Sequence, residues 1–75
     1  MEEEKFLLHY TRYSVHDIED HDTLEEAIKS AEHMEDYELG FPVGVVKGNE
    51  IVHMFEFAEQ MGTRPRLEGW LRGEK

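Results

Sequence analysis

There is no cysteine among the 75 residues, so neither a disulfide nor a thiolate metal site can hold this chain together. Nor is there an apolar run near the ~18 residues that a membrane-spanning helix needs. Met1 is followed by Glu2, Glu3 and Glu4, the reverse of the basic leader of a secreted protein. These absences predict a cytoplasmic protein with no membrane partner. Basic residues are scarce: eight Lys and Arg stand against eighteen Asp and Glu, a net charge of −10. Neutralising phosphates requires clustered cations, so direct nucleic-acid binding is disfavoured. Catalytic motifs are missing as well. There is no glycine-rich phosphate loop and no HExxH, and neither Ser14 nor Ser30 has a nucleophile-elbow context. The chain therefore reads as non-enzymatic, without a cofactor.

A chain of this length forms one domain, residues 1–75, with 1–4 frayed and 62–75 as a tail. Domains this small bury only about 60% of their unfolded surface, which makes a homodimer the natural support.

The strongest local pattern is DTLEEAIKSAEHMEDYELG, Asp22 to Gly40. Leu24, Ala27, Ile28, Ala31 and Met34 recur at steps of three and four and make one apolar helical stripe. Asp22 is placed as N-cap, with Glu25 at capping-box spacing. Gly40 offers a left-handed C′ position and Pro42 bars continuation, so the pattern predicts a helix over Thr23 to Leu39.

Around this helix, Lys5 to Tyr13 reads as a strand with two partly apolar faces. Ser14 to His21 reads as a polar connection. Val43 to Lys47 and Glu50 to Phe57 read as a hairpin about Gly48-Asn49, pairing Lys47 with Glu50, Val46 with Ile51, Val45 with Val52, Gly44 with His53 and Val43 with Met54. The predicted fold is α+β: a three-stranded, mostly antiparallel β-α-β-β sheet with one main helix. The hairpin is apolar on both faces, so the second face must meet the tail or another subunit, and the favoured arrangement is a homodimer that buries it. In the tail, Phe55 to Met61 can turn into a short helix ended by Gly62, followed by an extended Arg64-Pro65-Arg66 and a final turn over Leu67 to Leu71.

Charge is concentrated on and before the helix. From Asp17 to Glu38 there are ten acidic residues against Lys29 alone. Asp17, Glu19, Asp20, Glu25, Glu32, Glu35, Asp36 and Glu38 are the candidates for binding a basic partner protein, including one that itself binds nucleic acid. The competing reading is a face that only keeps the domain soluble. Arg64, Arg66, Trp70 and Arg72 form a second candidate surface, rich in interface-type residues, unless Trp70 merely anchors the tail.

His16 and His21, inside HDIEDHD, invite a metal-binding reading, but their spacing matches no established ligand motif. His9 and His53 fall within apolar strands, where a lone histidine is ordinarily a core or interface residue with one nitrogen satisfied. A purely structural role as an oligomer subunit is the third reading.

The run from Thr23 to His53 resembles small acidic bacteriophage accessory proteins: a Leu-Glu-Glu-Ala helix start, Gly and Pro after the helix, then a short Val-rich hairpin. The resemblance implies a compact strand-helix-hairpin fold and a role in binding a host or phage protein. It carries over no functional residue.

Overall fold

The computed structural model describes residues 5–73, so the frayed segment expected at 1–4 lies outside them. In chain order the elements are β1 (Phe6–Arg12), β2 (Val15–His21), α1 (Leu24–Asp36), β3 (Phe41–Lys47), β4 (Glu50–Met54), α2 (Glu56–Gln60) and α3 (Arg64–Leu71). The fold is α+β. The sheet has four antiparallel strands in the order β2-β1-β3-β4, one more than the sequence pattern predicts. The addition is β2, the segment read as a connection.

β1 and β2 pair without a break, from Phe6 with His21 to Arg12 with Val15. The two-residue turn between them, Tyr13-Ser14, has φ of 52° and 66°. Two positive φ angles are the sign pattern of a type I′ turn, whose usual sequence is Asn-Gly. Tyr-Ser carries no such cue, which is why the hairpin is hidden.

α1 is shorter than expected at both ends. Its N-cap is Thr23, not Asp22: the Thr23 Oγ1 accepts the Glu26 amide hydrogen at 3.1 Å. Asp22 instead pairs with Lys5, which holds its carboxyl below the usual range. At the other end Tyr37 is the C-cap and Glu38 takes the left-handed position, with φ 54°. The Leu39 amide donates to the Met34 carbonyl at 2.9 Å and that of Glu38 to Glu35 at 3.2 Å, the two bonds of a Schellman motif. Gly40 lies two residues beyond and is not the left-handed residue.

The sheet carries helices on both faces. Phe6, Leu8 and Tyr10 of β1 and Val45 of β3 pack with Phe55 against Ala27, Ala31 and Met34 of α1. The two alanines are fully buried, and their small side chains let the helix approach the strands closely. On the opposite face Val43, Val46, Ile51 and Met54 pack against Ala58 of α2 and Leu67 of α3. Each large side chain buried there contributes about 1.5–3 kcal/mol. Because α2 and α3 fold back over β3 and β4, the chain's own tail occupies the second apolar face, where a homodimer partner is the expected cover.

The β3–β4 hairpin turns at Gly48, φ 65°. Lys47 with Glu50 and Val46 with Ile51 pair as predicted, but a bulge then sets Val45 opposite His53 and Gly44 opposite Met54. The extra residue is Val52, which the bulge leaves 37% exposed. β4 stops at Met54, short of Phe57, because the chain turns into α2. The predicted stop of that helix at Gly62 holds, with φ 74°. Arg64-Pro65-Arg66 is not extended: it is the first turn of α3, where Pro65 is tolerated because the first amides of a helix lack partners. Among the described residues no helix is long and apolar enough to cross a membrane.

Candidate functional site

The acidic residues divide into three groups. On β2, Glu19 faces α1, where its Oε1 accepts from the Ser30 hydroxyl and contacts His21 Nε2 at 2.6 Å. Asp17, on the same face, accepts the Ile18 amide at 2.9 Å and lies opposite Tyr10. Burial first, then the Asp17 and Glu19 carboxylates, raise the Tyr10 hydroxyl above its ordinary pKa. Asp20 pairs with Leu7, on the other face of the sheet. The eight predicted partner-binding residues therefore do not form a single surface.

The second group, Glu25, Glu32 and Asp36, is exposed on α1, whose 13 residues span about 20 Å at 1.5 Å per residue. The third gathers at the C-terminal end of α1. Glu35 and Glu38 line an open cleft of about 630 Å³ between that end and the Tyr13-Ser14 turn, with Phe41 and Phe57 among its walls. The two phenylalanine rings meet edge to face, 5.4 Å between centroids. Tyr13 is 90% exposed and Phe57 56%.

Carboxylates near the N-terminus of a helix are stabilised by its dipole, as Glu25 and Glu26 are; at the C-terminus they are disfavoured. His33 is the only basic residue in the last turn. Among the described residues no hydrogen bond or ion pair engages the side chains of Glu32, Glu35, Asp36 or Glu38. The sequence shows the acidity, but not that its least favourable part adjoins an aromatic cleft. That juxtaposition depends on the unrecognised β1–β2 turn.

The second candidate surface is mostly engaged within the chain. Arg64 donates to Glu59 of α2 at 3.3 and 3.4 Å, and Arg66 sits over the Trp70 ring at 5.4 Å. Trp70 in turn lies flat on His16, 3.6 Å between centroids and 8° from parallel. This is the anchoring role, and Arg72 caps α3 behind it.

His16 and His21 lie on opposite faces of β2: His16 stacks under Trp70, whereas His21 contacts Glu19 on the α1 side. No group of three or more His, Cys, Asp or Glu side chains converges as a metal site among the described residues. His9 is a buried histidine with one nitrogen satisfied: Nδ1 lies 3.0 Å from His16 Nε2, and its own Nε2 has no partner. Burial, then His16, lowers the His9 pKa to about 4. Burial also lowers that of His16, with Asp17 opposing and Arg66 reinforcing the shift.

No family model, no curated protein and no solved structure matches the chain.

Proposed function

We propose that this protein is a non-enzymatic interaction module whose acidic surface, along α1 and around its C-terminal end, binds a basic partner protein. The observation that carries this reading is the unpaired acid at the end of α1. Glu35, Asp36 and Glu38 sit where the helix dipole opposes them, and among the described residues no hydrogen bond or ion pair engages their side chains. If solubility were the only demand, the charge could be placed anywhere on the surface. A cationic partner converts this local penalty into binding free energy, and its complementary field speeds encounter. Proteins that bind nucleic acid present such a field, which makes them the leading class of partner.

The test is capture from bacterial lysate, identified by mass spectrometry, with the wild-type chain beside a variant carrying Glu32→Lys, Glu35→Lys and Glu38→Lys. Binding is expected to weaken steeply as salt rises toward the range where the Debye length falls below about 8 Å, and to be lost in the variant. A basic partner held equally by both chains would exclude the acidic surface as the binding element.

A further inference from the structure

We infer that the cleft between the Tyr13-Ser14 turn and the end of α1 is a receptor for an arginine side chain presented by the basic partner. This inference rests on the proposed binding of such a partner and locates its anchor. Three observations converge on the cleft.

The first is chemical. A guanidinium on an aliphatic stem is matched by aromatic faces, apolar wall and carboxylates, because it stacks, buries its methylenes and donates paired hydrogen bonds to a carboxylate. The cleft supplies Tyr13, Phe41 and Phe57, with Leu39 as aliphatic wall and Glu35 and Glu38 as carboxylates.

The second is the chain's own use of a guanidinium. Arg12, which also lines the cleft, holds its guanidinium 5.8 Å from the centre of the Tyr13 ring. The ring thus already meets an arginine from one side, and its 90% exposure leaves the rest open. Arg12 adds one positive charge against the two carboxylates, so it competes with an incoming cation.

The third is conformational. Among the described residues the non-glycine positions with positive φ are Tyr13, Ser14 and Glu38, and all three line this cleft. Such residues persist where the surroundings hold them, and they collect at binding sites. Here they fix one aromatic and one carboxylate on opposite sides of the same opening.

The probe is the blocked tripeptide acetyl-Leu-Arg-Leu-amide, titrated at low salt into the ¹⁵N-labelled chain and followed by amide chemical shifts. Controls replace the arginine with lysine, norleucine or glutamate. Saturable shifts are expected at 11–14, 38–41 and 57, weaker with lysine and absent with norleucine and glutamate. Glu38→Asn and Tyr13→Asn suit a left-handed backbone, so both should fold. Each should weaken binding about tenfold, while Arg12→Ala should tighten it a few-fold. Shifts spread along the outer face of α1, equal response to norleucine, or no response would overturn the inference. So would concentration-dependent shifts of the same amides without peptide, which would make a second copy of the chain the occupant.

Partner capture separates this inference from the reading beneath it. Tyr13→Asn leaves every carboxylate in place. A partner lost on reversal of Glu32, Glu35 and Glu38 but retained in full by Tyr13→Asn would refute the arginine receptor and leave the acidic surface standing. A partner retained by both would refute both.

Discussion

The sheet face beneath α3 and the cleft beyond the Tyr13 turn both draw on the β1–β2 hairpin, and they solve opposite problems. Beneath α3, the polar rings of His9 and His16 are drawn into a stack with Trp70, and Leu67 is fully buried beside Val43 and Val46. At the turn, Tyr13 stands in solvent on a left-handed backbone, and carboxylates crowd the disfavoured end of a helix. The first region spends the chain's scarce apolar residues on stability. The second gives up stability and leaves aromatic surface uncovered. Under the proposed function, this imbalance is what a binding partner outside the chain would account for.

The comparison can be broken most forcefully from the packed side. Leu67→Ala should destabilise the chain by about 2–5 kcal/mol, since Leu67 has no exposed surface and the neighbouring strands cannot collapse onto the gap. A domain of this size holds only about 3–5 kcal/mol in its core, so the variant should be largely unfolded in urea titrations where the wild type is folded. A loss below 1 kcal/mol would mean that α3 is a loose appendage and that the contrast between the regions is false.

Acid should act on the same side. His9 has a folded-state pKa of about 4 against 6.5 when unfolded, so the unfolded chain takes up a proton that the folded chain refuses. Stability is therefore full above pH 6.5 and falls as pH drops from 6.5 toward 4, by roughly 2–3 kcal/mol, with His16 adding in the same direction. Burial is the larger cause, and His16 adds to it: His9 Nδ1 and His16 Nε2 lie 3.0 Å apart, and two protonated rings would both be donors. Denaturation midpoints of the wild type and His9→Gln across this range check it; equal slopes would remove His9 as the source.

How far the sequence carries depends on which residues hold the information. The α1 stripe, the Gly48 turn and the Gly62 stop are written in spacing and in glycine, and they are found where the pattern puts them. β2 is not legible, because VHDIEDH is an edge strand whose apolar residues, Val15 and Ile18, fall on opposite faces and stay 63% and 46% exposed. Pairing with β1 decides its structure, and propensity does not. The C-terminus of α1 misleads for a related reason: Gly40 is the obvious stop, yet Glu38 takes the left-handed position. The acidic candidates were visible as composition, but which of them share a surface depends on β2. The aromatic cleft was invisible, since Tyr13, Phe41 and Phe57 meet only through the turn and the end of the helix.

If the cleft region is held against the fold's own preference, relieving it should stabilise the chain. Urea denaturation of wild type and the double variant Tyr13→Asn with Glu38→Asn tests it with no partner present. Both substitutions keep the left-handed backbone and relieve strain, and Glu38→Asn also removes one charge from the end of α1. A gain of about 1 kcal/mol or slightly more is expected. A loss of stability would contradict it, because it would show that Tyr13 and Glu38 hold the fold together and are not kept for what they bind.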